Sequence, residues 1–341
     1  MKRKKLNTIY KKITSIRFIE QLGFLTGISP HIMVLQSVLP KYDMFYVRKR
    51  TGGKRLIENP NPILKNIQRK LNKYLQVVYY IHCPQPSHGF VINVKRGKKK
   101  GIISNAKVHI GNDYMLNIDL KDFFYYIKYN TVYKIFNSDL FNFNTYLVKI
   151  LADLCCKDER LPMGAPTSPV LANLACIDMD LKLESICNSF AIKYTRYADD
   201  MTFSGLNPIP DHLIKKIYSI IDEYGFVVNE KKVKLRGIND QKKVTGIIVG
   251  DGLSLAEFFF EETLIEISKL KTLMELNYRY RGNKDKLVNK HKQKIDGYIN
   301  YATQIYGKDN EKVQQLIDEL DKAMSIEDFI EPMSWDDFPY V

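Results

Sequence analysis

Tryptophan occurs once in this 341-residue chain and cysteine five times. The cysteines (Cys83, Cys155, Cys156, Cys176, Cys187) show no CxxC spacing, which argues against a zinc ribbon or a disulfide framework. Cys155 and Cys156 fall in one apolar helical run, Cys176 and Cys187 in another. They read as buried free thiols of a reducing, cytoplasmic compartment. No apolar run approaches the roughly 18 residues a membrane span needs. The basic start Met1-Lys2-Arg3-Lys4-Lys5 is followed by no apolar core of a secretory signal. That start has two readings, a frayed terminus or an RNA contact. There is no internal repeat and no low-complexity linker.

Acidic residues are also in short supply, except at one end. The net charge is +14, yet residues 307–341 hold ten acids against three lysines, which leaves the remainder at +21. A basic body of this size points to a polyanionic partner, most commonly nucleic acid.

Residues 7–40 carry apolar positions at helical spacing (Ile9, Ile13, Ile16, Phe18, Leu22) and predict helix. Residues 42–60 predict a hairpin turning at Thr51-Gly52-Gly53, and Pro60 and Pro62 lead into a helix over 63–80. Tyr114 to Ile118 predicts a short strand running into Asp119. Thr145 to Cys156 and Pro169 to Phe190 predict helices. Lys193 to Ser204 predicts a hairpin bent at Ala198-Asp199-Asp200, and Lys243 to Val249 a further strand. Beyond residue 260 the spacing is helical, through Leu264, Ile267, Leu270 and Met274, then His291, Ile295, Tyr298, Ala302 and Ile305. Lys284, Lys286, Lys290, Lys292 and Lys294 make the second stretch basic. The pattern predicts an α+β core with an appended helical subdomain.

One carboxylate therefore lies at a strand end and two more at a hairpin tip. Adjacent aspartates in a tight, partly buried turn repel one another and lose hydration, so they call for a compensating cation. Two Mg²⁺ ions about 3.5–4 Å apart on such carboxylates are a known device for in-line nucleotidyl transfer. An Asp-Asp pair alone usually marks a solvated turn. Here it follows, in order, a strand ending in Asp119 and a Gly-Ala-Pro-Thr-Ser-Pro turn at 164–169 that opens a helix.

At these residues the chain resembles the reverse transcriptases. Asp119 to Phe124 resembles polymerase motif A, Leu161 to Pro169 motif B, Tyr197-Ala198-Asp199-Asp200 motif C and Gly225 to Lys232 motif D. Tyr46 to Arg69 resembles the fingers motif. Asn105-Ala106-Lys107-Val108-His109 matches the NAxxH signature of bacterial retron reverse transcriptases, and Val244-Thr245-Gly246 their VTG signature. The resemblance runs unbroken over roughly residues 40–250. It departs at Met163, where the family commonly has glutamine.

The resemblance implies a right-hand α+β polymerase with three parts. Residues 1–111 would hold N-terminal helices and fingers. Residues 112–256 would form a palm, an antiparallel sheet backed by helices with a fingers-like helical insertion near 133–160. Residues 257–341 would be a helical thumb and acidic tail. It implies Asp119, Asp199 and Asp200 as catalytic residues and ligands of two Mg²⁺ ions. Lys54 and Arg55 would hold the incoming phosphates, the backbone at Asp122 and Phe123 would face the triphosphate, and Gly164 would admit the nucleotide. Phe124 would be the sugar gate selecting dNTPs; the other reading makes it a core aromatic. Lys231 or Lys232 would protonate pyrophosphate. Asn105 and His109 would contact structured RNA or buttress the palm, and Val244, Thr245, Gly246, Lys290 and Lys294 would read its stem. Tyr278, Tyr280, Tyr298 and Tyr301 would stack on bases, or pack internally in the case of Tyr298.

The implied activity is reverse transcription of a cognate noncoding RNA, primed by a 2′-hydroxyl, into branched RNA-linked DNA (msDNA), with a separate effector protein and a role in anti-phage defence. Alternatives are a group II intron-like or abortive-infection reverse transcriptase, and a non-catalytic RNA-binding scaffold of the same fold. The tail with Trp335, Phe338 and Tyr340 would dock an effector or a second copy, or fold on its own thumb.

Overall fold

The computed structural model describes residues 3–48, 52–95, 97, 99–279 and 285–325. Met1, Lys2, Thr51, Tyr280, Lys284 and the tail with Trp335, Phe338 and Tyr340 lie outside the described residues, as does the side chain of Tyr278. The chain forms two compact units, Met1–Thr245 and Gly246–Val341.

The first unit opens with α1 (Arg3–Thr14), α2 (Ile19–Thr26) and α3 (Pro30–Val38). The single helical region expected over 7–40 is thus three helices. Gly27 takes a left-handed φ of 63°, which caps α2, and Pro30, which has no N–H to give, starts α3. The hairpin β1 (Tyr42–Arg48) and β2 (Lys54–Pro60) follows, in register from Tyr42 opposite Pro60 to Arg48 opposite Lys54. Next comes α4 (Pro62–His82). The Asn61 side chain caps its start by accepting from the Leu64 N–H at 2.9 Å, and Leu64, Ile67, Leu71, Leu75 and Val78 are buried at helical spacing.

Then come α5 (Ile102–Lys107), β3 (Tyr114–Asp119), α6 (Phe123–Tyr126), α7 (Tyr129–Phe136) and α8 (Thr145–Cys155). The helix expected over 169–190 is two, α9 (Ser168–Ala175) and α10 (Ile177–Ser189). The break is at Cys176 (φ −94°, ψ 0°), whose N–H bonds to Asn173 O, a tighter turn than the α-helix makes. The hairpin β4 (Lys193–Tyr197) and β5 (Asp200–Gly205), then α11 (Asp211–Glu223), a 3₁₀ turn Glu230–Lys232, β6 (Lys234–Arg236) and β7 (Lys242–Val244) complete the unit.

Its main sheet has the order β4-β5-β3-β6 and is antiparallel. Register decides what faces what. Leu116 pairs with Phe203 and Ile118 with Met201, and all four join Leu171, Met179, Leu183, Leu213 and Ile217 of the helices in one core. Strand alternation turns Asn117, Asp119, Asp200 and Thr202 to the opposite face.

The second unit holds β8 (Ile247–Val249) and β9 (Leu253–Ser254), antiparallel, then α12 (Glu257–Arg279), α13 (Asp285–Tyr306) and α14 (Glu311–Met324). Ile267, Leu270, Ile295, Ile299, Leu316 and Leu320 form its core. The strand expected over 243–249 is therefore two, β7 and β8. The turn between them is Thr245-Gly246, at φ 48° and 88°. Among the described residues no helix is long and apolar enough to cross a membrane.

Candidate active site

Three elements bring the carboxylates together. Asp119 ends β3 and pairs directly with Asp200 at the start of β5. Asp199 sits in the two-residue tip between β4 and β5, and its carbonyl accepts from the Leu120 N–H at 3.0 Å. Burial pushes the Asp199 carboxyl up, and the Asp119 charge adds to it. Burial, with Asp199 and Asp119 adding charge, pushes Asp200 up to about 6, although that residue keeps exposed surface.

The cation facing them is Lys232. Its Nζ donates to both Asp119 oxygens, at 2.9 and 2.8 Å, and the Asp119 carboxylate holds Lys232 above its usual range. Asn229 donates to Asp119 Oδ1 at 3.0 Å, and its backbone N–H to Asp119 O at 2.8 Å. Of the two lysines between which the sequence left the choice open, Lys232 lines the cleft.

That cleft encloses ≈ 700 Å³ and brings together the sequence-predicted nucleotide residues Lys54, Arg55, Asp122, Phe123, Phe124, Gly164 and Lys232 with Asp119 and Asp199. Phe123 turns inward, 4% exposed and stacked on Phe226 at 5.4 Å, whereas Phe124 is half-buried at the cleft wall. Gly164 has φ 129°, and a Cβ there would lie 2.9 Å from Glu58 O, so only glycine fits against β2.

The hairpin tip rests on residues the sequence reading did not single out. Arg196 pairs with Met201 across the hairpin and so faces the core, fully buried. Its Nε and Nη2 donate to Asp180 Oδ1 and Oδ2 at 2.8 and 2.6 Å, and its Nη1 donates to Asn173 Oδ1 and to Ala198 O, both at 3.1 Å. Tyr194 donates to Asp180 as well, at 2.8 Å. Ala198 has a left-handed φ of 57°, and a Cβ on Gly89 would lie 2.6 Å from its nitrogen. The available signal was strand alternation in Tyr194-Thr195-Arg196-Tyr197, which assigns a cation to the core side and so demands a buried acid.

The residues expected to read RNA separate into groups. Asn105 and His109 are 1% and 0% exposed, so neither offers surface to an RNA. His109 instead joins the two strands of the hairpin, with Nδ1 2.6 Å from Ser204 Oγ and Nε2 2.7 Å from Thr195 Oγ1. Val244 is buried and Gly246 exposed. In the second unit, Lys290 is exposed. Lys294 is engaged by Glu266 at 2.5 Å and lies over the Tyr298 ring, which packs edge-on against Phe259.

Burial pushes His109 down to about 3 and His88, with Lys100 adding to the effect, to about 4, both from 6.5. A histidine kept neutral by the fold binds fewer protons folded than unfolded, so stability falls as pH drops below 6.5 and continues to fall toward the folded value. For His109 alone the loss at pH 5 is about 2 kcal/mol. Thermal melts at pH 7.5 and 5.0 should show this drop, and His109→Asn should remove about half of it, His88 supplying the rest. Equal melting points for wild type at the two pH values would show that the ring protonates within the fold.

The donor chemistry suits a hard divalent cation. Asp119, Asp122 and Asp199 line the cleft with Lys54, Arg55, Lys121 and Lys232, and no thiol or imidazole does. Burial first, and neighbouring carboxylate charge second, raise Asp199 and Asp200, and the Lys232 ammonium on Asp119 supplies a countercharge. Among the described residues no three His, Cys, Asp or Glu side chains already converge as a closed ligand set. Asp119 and Asp199 line the cleft, and Asp200 stands beside them without lining it.

Comparison with known proteins gives a consistent result. The family model described as "Reverse transcriptase (RNA-dependent DNA polymerase)" matches residues 47–249. The chain is 30% identical over 292 residues to "Retron Ec86 reverse transcriptase" of Escherichia coli, covering 83% of this chain and 82% of that one. It is 31% identical over 310 residues to "Retron Ec73 reverse transcriptase" of the same species, covering 85% and 92%. It is 28% identical over 302 residues to "Retron Mx65 reverse transcriptase" of Myxococcus xanthus, covering 82% and 66%.

Proposed function

Since the chain belongs to the reverse transcriptases, among the bacterial retron enzymes, and is an RNA-directed DNA polymerase of right-hand α+β fold, we propose that it copies one cognate structured noncoding RNA into DNA. Priming is by a 2′-hydroxyl of that RNA, and the product is a branched RNA-linked single-stranded DNA. The observation that carries the reading is the convergence of Asp119 and Asp199 with Lys54, Arg55, Phe124, Gly164 and Lys232 on one cleft.

In this reading residues 1–111 supply N-terminal helices and fingers, 112–256 the palm, and 257–341 the thumb and tail. Asp119, Asp199 and Asp200 hold two Mg²⁺ ions, whose chemistry is to activate the attacking hydroxyl and take up charge on the leaving pyrophosphate. Lys54 and Arg55 on β2 bind the phosphates, Arg55 as a fork and Lys54 as a point charge. The backbone at Asp122 and Phe123 faces the triphosphate. Phe124 presents its ring to the sugar and excludes a 2′-hydroxyl. Lys232, already held at the carboxylates, delivers a proton to pyrophosphate. His109 positions the hairpin, and the exposed Gly246 and Lys290 are open to the RNA. A separate effector protein and a role in anti-phage defence rest on the family resemblance.

The test is expression with flanking genomic DNA in a bacterium, followed by RNase and debranching treatment of extracted nucleic acid. A short discrete DNA that shifts on debranching, and is absent from an Asp199→Ala, Asp200→Ala double variant, is the expected result. Primer extension by purified protein without any such DNA in cells would keep the polymerase and remove the branched product. Absence of DNA in both assays would favour a non-catalytic RNA-binding scaffold.

A further inference from the structure

One buried carboxylate outside the aspartate group joins three walls of the cleft. Glu58 lies on β2, three residues past Arg55, with its side chain 1% exposed. Its Oε2 accepts from Arg160 Nη1 at 2.8 Å and from the Met163 N–H at 3.2 Å, and its Oε1 from Arg160 Nη2 at 3.1 Å. Lys157 Nζ stands 3.2 Å from Oε1. The Glu58 N–H in turn donates to Met163 O at 2.7 Å. The guanidinium of Arg160 lies 3.8 Å above the ring of Tyr125, the residue after Phe124.

The three walls so joined are β2 with Lys54 and Arg55, the Met163-Gly164 turn, and α6 with Phe124 and Tyr125. All three line the one cleft. A buried carboxylate would not survive without paired cations, and a bidentate fork stacked on an aromatic ring fixes both distance and plane. The arrangement also bears on Met163. Both of its main-chain groups are committed to Glu58, the N–H to the carboxylate and the carbonyl to the Glu58 N–H.

We infer that Glu58 and Arg160 are a positioning pair that sets the width of the nucleotide cleft between β2 and Phe124, and with it the preference for deoxyribose; the inference rests on the polymerase reading above. Neither side chain is a catalytic residue. Breaking the pair lets the Phe124 wall withdraw from the sugar and shifts Lys54 and Arg55 against the phosphates. The aspartates on β3 and at the β4–β5 tip are held by other contacts, so nucleotide binding and sugar choice change more than turnover.

The experiment is single-nucleotide incorporation on an RNA template, with dNTP and matched rNTP, by wild type, Glu58→Gln, Arg160→Lys and Arg160→Met. Phe124→Ala serves as the reference for lost sugar choice. For Glu58→Gln and Arg160→Met the expected result is a rise in dNTP KM of about tenfold, kcat within about threefold, and a dNTP-over-rNTP preference reduced about tenfold. Arg160→Lys, which keeps a cation on Glu58 but loses the fork and the stacking, should fall between. Folded variants with wild-type KM and wild-type sugar preference overturn the inference and leave the polymerase reading standing. Should Glu58→Gln fail to fold, Arg160→Lys carries the same test. A wild-type protein that makes no DNA overturns both.

Discussion

Asp199→Asn is expected to abolish RNA-templated DNA synthesis, by at least about 10³-fold, without lowering the melting point. The two halves of this expectation have one cause. Burial and the Asp119 charge disfavour the ionised Asp199 carboxyl, so the fold carries a repulsion that an amide of the same shape removes. For Asp200, pushed up to about 6, the sign is explicit. A raised carboxyl binds more protons folded than unfolded, so stability falls as pH rises from 3.8 through about 6 and stays lower above it. Asp200→Asn should therefore melt slightly higher than wild type at pH 7.5, by about a degree or two, since solvent at this exposed residue screens most of the effect. Primer extension with Mg²⁺ and thermal melts on the same preparations check both halves. Extension by Asp199→Asn within tenfold of wild type would remove Asp199 from the chemistry. A large fall in its melting point would instead make it a structural residue.

Arg196→Met reverses the pattern, with a large loss of stability and a large loss of activity. Asp180 is fully buried, and loss of the guanidinium leaves its charge unpaired, which costs about 3–5 kcal/mol. The melting point should fall by roughly 6–15 °C. Synthesis should fall by about 10²-fold, because the bond from Arg196 Nη1 to Ala198 O is lost beside Asp199. The double variant Asp180→Leu, Arg196→Met separates the two effects. With both charges gone, most of the stability should return. The Ala198 carbonyl still lacks its donor, so activity should not. Recovery of full activity in the double variant would show that the pair holds the core together and does not orient the tip.

Much of this molecule could be read from local pattern. The 42–60 hairpin, the strand into Asp119 and the hairpin bent at Ala198-Asp199 appear where alternation and turn residues placed them. Helix starts were legible where caps and prolines mark them, as at Asn61-Pro62. Helix ends inside apolar runs were not. The breaks at Gly27 and at Cys176 split stretches whose apolar spacing continues across them: a left-handed glycine and Pro30 end the first, and a tighter turn at Cys176 ends the second.

The cleft residues were legible as short motifs: carboxylates at a strand end and at a hairpin tip, a glycine in the turn that opens a helix, and a lysine pair after Asn229. The partners that hold them were not. Glu58 meets Arg160, and Arg196 meets Asp180, only after strands and helices distant in sequence have packed. His109 likewise reads as an RNA contact or a buttress until the fold closes over it between Thr195 and Ser204. Local pattern carried the fold class and the family resemblance, because strand alternation, turn residues and short motifs act between near neighbours. Which charges are buried together, and which lysine faces Asp119, followed from packing alone, because a buried ion pair is specified by the meeting of distant segments, and no short-range pattern records where they meet.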